Sequence, residues 1–347
     1  MKILFAVQGT GNGHLSRATQ IYPSLTRFGQ VDVLISGTEN AIRPNFPVRY
    51  RYDGLGFAFG QKGGIDIKKT YADARIWRFL KSVEEVPVKN YDLVINDFEP
   101  ITAWACRLRE IPLVALSHQS SLLKAGVPKL LTPDLAAELV LRHYAPAPAS
   151  VGYHFEQYHP DIFTPVIRHE LYAAKRNQKS HITVYLPAFS VEKLSQALPR
   201  IRGLQWHVFS RHEYQLSGRD DIRIFAVDAK AFVLSMSSAS GVLCGAGFET
   251  PAEALHLGIP LMVVPMRGQY EQACNAAAIE KIGAGVIWKT SDLRPEKIIE
   301  WVESRKAIKM EYPNVIEASL ERLMELYETE VKNGVGLLQG LRSLLAG

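Results

Sequence analysis

The chain has 347 residues, 47% hydrophobic and 22% charged, which is material for about two domains and excludes a single small module, wholesale disorder, collagen and coiled coil. Subtracting 35 acidic from 40 basic side chains leaves +5, a mild excess that suits anionic ligands or a lipid surface and is no nucleic-acid signature. Three cysteines, Cys106, Cys244 and Cys274, stand without a CxxC pair, so neither a disulfide framework nor a structural metal is expected, and reducing cytosol fits best.

Short apolar runs alternate with helical patterns from the first residue, the rhythm of βα units around parallel sheets in an α/β fold. Residues 3–7 read as a buried strand, too short for a signal-peptide core, and residues 15–28 follow at helical spacing with Pro23 as a bend. Further strands are expected at 31–36, 48–52, 93–96 and 113–116. A glycine- and lysine-bearing stretch, 54–70, reads as a long loop. Proline-bearing segments around 146 and 160–165 flank a short strand at 151–155, so a first domain should end near residue 163 and a second begin at 164.

The rhythm then restarts, with strands expected at 182–186, 206–209, 222–226, 241–244, 261–264 and 286–288. From Pro295 onward Ile298, Trp301 and Val302, then Ile316, Leu320, Leu323 and Leu326, recur at helical spacing. Two Rossmann-like halves are the economical interpretation. No run approaches the ~20 apolar residues that cross a bilayer, so neither export nor membrane spanning is expected.

The first strand runs into Gln8-Gly9-Thr10-Gly11-Asn12-Gly13-His14, where an open α/β sheet places its ligands. A dinucleotide fingerprint needs a third glycine where His14 stands, and no acidic residue closes the second strand, so NAD is disfavoured. His14 instead brings an imidazole suited to proton abstraction, or serves as a packing residue at a helix start. Asp97, at the end of residues 93–96, either orients that base or caps the helix beginning near Pro100, and Glu99 is its substitute. His118 should reach the same edge. Segment 241–275 joins a glycine turn, Gly245-Ala246-Gly247, to a helix opening near Thr250, then to Glu271-Gln272, a phosphate cradle followed by groups suited to hydroxyls.

With these motifs the chain resembles the GT-B glycosyltransferases, especially the inverting group containing the peptidoglycan N-acetylglucosaminyltransferase and UDP-sugar glucosyltransferases. The specific part is Gly245-Ala-Gly-Phe-Glu-Thr-Pro-Ala-Glu253 through Gly258-Ile-Pro260, then Glu271-Gln272; Gly9-Thr-Gly-Asn-Gly-His14 is similar to the acceptor-side loop. The resemblance implies two Rossmann-like domains facing across a cleft: 1–163 for the acceptor, 164–305 for the nucleotide sugar, and a helical segment, 306–347, returning to the first.

It further implies His14 as base with Asp97 as partner, and Gly11, Asn12 and Gly13 in the acceptor-side loop; Glu99 and His118 stay candidates on that side by their place at the same sheet edge. Gly245, Gly247 and Thr250 would hold the diphosphate, Glu253 the ribose and Glu271 with Gln272 the sugar. Backbone around Phe225 and Val227 would meet the base of a nucleotide, taken as UDP. Retaining relatives commonly carry two glutamates with seven residues between them; Gly245 stands eight before Glu253, which favours inversion without a cofactor or metal. In the loop after residues 182–186, Leu186-Pro187-Ala188-Phe189-Ser190 departs from the relatives' glycine followed by serine or threonine.

The acceptor is open. Residues 54–70 and 122–131 mix apolar and basic side chains suited to a lipid-linked acceptor at the inner membrane face. A nucleotide-sugar epimerase of the same fold, or a non-catalytic nucleotide-sugar-binding protein, are the alternative functions.

Overall fold

The structure is a computed structural model in which residues 1–37, 44–54, 59–60, 64–65, 75–130, 134–174, 177–210 and 218–332 are described. Strands β1 (Lys2–Gln8), β2 (Gln30–Ser36) and β3 (Tyr50–Tyr52) open the first sheet, and β4 (Phe59–Gly60) pairs antiparallel with β5 (Gly64–Ile65) apart from it. Strands β6 (Leu93–Asp97), β7 (Leu113–Ser117), β8 (Ala149–Tyr153) and β9 (Ile162–Phe163) complete a seven-stranded parallel sheet in the order β3-β2-β1-β6-β7-β8-β9. The expected loop 54–70 otherwise lies outside the described residues.

The second sheet has six parallel strands, β10 (His181–Tyr185), β11 (Gln205–Ser210), β12 (Ile222–Ala226), β13 (Gly241–Gly245), β14 (Leu261–Val264) and β15 (Gly285–Val286). Their order is β12-β11-β10-β13-β14-β15. In both sheets the order reverses beside the first strand of the unit, which opens a crevice at the carboxyl ends. Two Rossmann-like sheets, as expected from the βα rhythm, therefore present their ligand-binding edges.

Helices cover both faces because the strands are apolar on both sides. Along β1, Ile3, Phe5 and Val7 pack with Leu15, Ala18, Ile21 and Leu25 of the Gly13–Leu25 helix, whereas Leu4 and Ala6 join Ile101, Ala105 and Cys106 on the opposite face. That first helix closes two residues after Pro23 and tightens into a 3-10 turn, Thr26–Phe28. The Ile316–Leu326 helix returns to the first sheet, with Ser319 Oγ 2.8 Å from Tyr153 Oη and Arg322 on Asp161. One apolar cluster runs from β1 through Phe155 and Phe248 to Val242 and Val263 of the second sheet, so the two units share a core at the base of the crevice.

Candidate active site

Beyond β1 the backbone turns through Gly11, whose φ of +90° is a conformation glycine adopts without a Cβ penalty, into the Gly13–Leu25 helix. Asn12, at the N-cap, does not cap: its Nδ2 donates across the crevice to Tyr185 Oη at 3.2 Å. His14 lies in the first turn with 13% of its side chain exposed. Parallel register sets Val7 beside Asp97, which places that carboxylate behind the imidazole. Asp97 Oδ1 is 2.9 Å from His14 Nδ1. Nδ1–H therefore donates to the carboxylate and Nε2 keeps its lone pair, the tautomer a base requires. Gln119 Nε2 sits 3.3 Å from that Nε2 and donates to Glu271 Oε2 at 2.9 Å, so the donor assignment is consistent along the chain of groups.

Arg17, one turn after His14, is a component sequence reasoning missed. Its Nη2 donates to both Asp97 oxygens, at 2.7 and 2.9 Å, and its Nη1 donates to Glu249 Oε1. Only 2% of the Arg17 side chain is exposed. The available signal was its i, i+3 spacing from His14, which puts both on one helix face. Burial alone would raise the Asp97 carboxyl, but Arg17 and His14 hold it below its ordinary value. Burial also opposes a charged His14; Asp97 overcomes this and raises the imidazole above 6.5, while Arg17 pulls it back.

The facing wall comes from the second sheet. β13 ends in Gly245, and the Glu249–His256 helix opens toward the crevice with its N-terminal amides and positive dipole end. Glu249 closes over the first helix so tightly that a Cβ on Gly13 would lie 2.6 Å from Glu249 Oε2. Glu253, one turn on, is held by Arg168, which donates to it from both Nε and Nη2. Burial pushes the Glu253 carboxyl up, and Arg168 opposes this. Arg168, from the connection between the sheets, is the second component sequence reasoning missed.

A crevice of about 540 Å³ is lined by Gly11, Asn12, Gly13, His14, Arg17, His118, Arg168, Val227, Gly245, Gly247, Thr250, Glu253, Glu271 and Gln272. Residues expected on the acceptor side and on the donor side thus share one cavity, with Asp97 directly behind His14. Among the described residues no cluster of three or more His, Cys, Asp or Glu side chains could hold a metal ion.

Four expectations are placed differently. Glu99 is buried and spent as a helix cap: its carboxylate accepts from Ile101 N, Thr102 N, Thr102 Oγ1 and Ser36 Oγ at 2.6 to 2.8 Å, so it does not reach the crevice. His118 lines the wall, but Nδ1 lies 2.8 Å from Tyr153 O and Nε2 2.7 Å from Asn275 Oδ1, and its ring stacks on Phe248 at 3.9 Å. Nδ1 is occupied within the first unit, while Nε2 and the ring face join it to the second. Phe225 packs against Phe209 and His207 instead of lining the cavity, as Val227 does. Within 122–130, Leu122 and Val127 are buried, Lys124 pairs with Asp161 and Lys129 with Glu138, so these two apolar side chains and both cations have partners within the protein; Leu131 lies outside the described residues.

Residues 1–305 match the pattern of the family described as glycosyl transferase family 1. An uncharacterized glycosyltransferase of Methanosarcina mazei is 24% identical over 343 residues, covering 87% of this chain and 89% of the relative. A 71-residue stretch is 34% identical to the UDP-N-acetylglucosamine--N-acetylmuramyl-(pentapeptide) pyrophosphoryl-undecaprenol N-acetylglucosamine transferase of Brucella anthropi, 20% of this chain and 19% of that one. The crystal structure of the glycosyltransferase SnogD from Streptomyces nogalater superposes with a TM-score of 0.52 at 15% identity, covering 98% of this chain and 99% of that one. The fold is GT-B, as the resemblance implied.

Proposed function

The chain belongs to glycosyl transferase family 1, and from that premise we propose that it moves a sugar, with inversion, from a nucleoside diphosphate sugar to an acceptor hydroxyl. The observation that carries the proposal is one crevice in which His14, backed by Asp97, faces the glycine turn and helix N-terminus of the second sheet. In this reading residues 1–163 take the acceptor and residues 164–305 the donor. UDP is the nucleotide proposed, supported by the local likeness to a transferase named for a UDP-sugar.

His14 Nε2 takes the acceptor proton as the acceptor oxygen bonds to the anomeric carbon from the face opposite the diphosphate. The bond from that carbon to the diphosphate oxygen breaks, and its electron pair leaves with the nucleotide. Asp97 stabilises the imidazolium so formed, while the amides at Gly245–Gly247 and the Glu249–His256 helix end meet the growing negative charge. Ribose hydroxyls bonding to Glu253 would compete with Arg168 for its oxygens, turning that guanidinium toward the diphosphate.

The acceptor proposed is an amphiphile at the inner face of a membrane. Ile76, Trp77 and Leu80 are exposed on the Arg75–Glu85 helix beside Arg78 and Lys81, and Leu135, Leu139 and Val140 on the Leu135–Tyr144 helix. Arg78 pairs with Asp53 just past β3, and Tyr144 stacks on Phe98 just past β6, so both apolar faces flank the sheet edge that carries the crevice. Apolar side chains beside cations suit a lipid surface.

Thermal unfolding against UDP, dTDP, GDP, CDP and NAD tests the donor site, since a ligand at 100 times its Kd adds about 2.7 kcal/mol. UDP should stabilise the protein selectively, and His14→Ala should keep that response while losing transfer. A response to NAD alone sinks the reading; a nucleotide sugar isomerised without UDP release makes the protein an epimerase.

A further inference from the structure

Arg17 is the most buried cation facing the crevice, and the reaction as written gives it no task. It lies against His14 on its own helix and joins two carboxylates from two other elements, Asp97 at the end of β6 and Glu249 in the first turn of the Glu249–His256 helix. Its Nη2 and the His14 ring compete for the same oxygen, Asp97 Oδ1, at 2.7 and 2.9 Å. The remaining guanidinium nitrogen, Nε, is buried without a hydrogen-bond partner among the described residues, where the side chain's hydrogen bonds go to the two carboxylates. The Tyr153 ring, 5.9 Å away, closes the other side, and Arg168 is spent on Glu253.

We propose that Arg17 is a positioning residue that links the base pair of the first sheet unit to Glu249 of the second, so that the strength of His14 as a base depends on the contact between the two units. Arg17 stands beside the imidazole with a positive charge that opposes its protonation. Glu249 stands beside Arg17 and offsets that charge. With Glu249 in place the ring accepts a proton readily; with Glu249 withdrawn, Arg17 acts uncompensated on the ring and on the Asp97 oxygen they share. A nucleotide that binds the second unit and shifts its first helical turn would thereby reach the base without touching it. The charged and titratable groups facing His14 are Asp97 from β6, Arg17 from its own helix, Glu249, and Glu271 through Gln119.

The test is an NMR titration of the His14 ring, assigned with His14→Gln, in the full chain. Arg17→Met should raise the midpoint by about one pH unit and Glu249→Gln should lower it, while Arg17→Lys, which keeps the charge, should return it most of the way to wild type. Midpoints that stay put, or move in the same direction for both neutral variants, overturn the proposal. Should Arg17→Met fail to fold by circular dichroism, Glu249→Gln decides by itself, a midpoint unmoved or raised being the negative result. The proposal rests on reading His14 as the base, and the titration needs no donor: absence of UDP release by wild type sinks that reading alone, whereas unmoved midpoints with transfer intact sink only the role of Arg17.

Discussion

His14 faces the crevice with a buried carboxylate at its back, and the pH response of the enzyme follows from that pairing. With His14 as the proposed base, which works unprotonated, turnover should rise with pH through its midpoint, which Asp97 lifts above 6.5 against the cost of burial. Asp97→Asn removes the largest influence raising it. The rising limb of kcat against pH should then move to lower pH while kcat on the plateau falls by at least about 100-fold, since the imidazolium loses its counter-charge. A limb that stays where it was would assign the titration to another group. His14 and Asp97 were legible because each follows a strand whose apolar run is unmistakable, and strand ends of a parallel sheet share an edge. Arg17 and Arg168 were not, since a charged residue at helical or loop spacing is ordinarily a solvated face, and their burial is created by Asp97, Glu249 and Glu253 arriving from elsewhere in the chain.

At the scale of elements, the turn after β6 divides its carboxylates between two tasks. Phe98 adopts φ of 56°, uncommon for a residue with a Cβ, and this sets Asp97 toward His14 and Glu99 over the start of the Pro100–Arg109 helix. Glu99→Ala removes the cap and leaves the hydroxyls of Ser36 and Thr102 short of a buried partner, a loss of about 2–4 kcal/mol. Urea unfolding should show a lower midpoint with an unchanged slope, and the variant's kcat should match wild type at temperatures where it stays folded. A drop in kcat without a drop in stability would return Glu99 to the chemistry. The long strands were readable from continuous β-branched and apolar runs, whereas β9 spans only Ile162–Phe163 and gains its identity from pairing with β8. Two residues carry no periodicity.

Across the whole molecule the Ile316–Leu326 helix ties the architecture together. Leu320, Leu323 and Leu326 are buried in the same cluster as β1 and β8, so residues more than 300 positions from the start complete the first unit's core. Leu323→Ala should cost about 2–5 kcal/mol, and hydrogen exchange should find the lost protection in β7 and β8 rather than in β10 to β14. Loss spread evenly over both sheets would show that the two units unfold as one. By itself the sequence determined the two parallel sheets, the glycine turns at their first and fourth strand ends, and the candidates His14, Asp97 and Glu253, because strand runs, glycines and motif spacing are local properties of the chain. Tertiary structure alone decided which carboxylate backs His14, that His118 joins the units, and that Arg17 links Asp97 to Glu249. Those outcomes depend on distances between residues 80 to 232 positions apart, which exist only once both sheets have packed onto a common core.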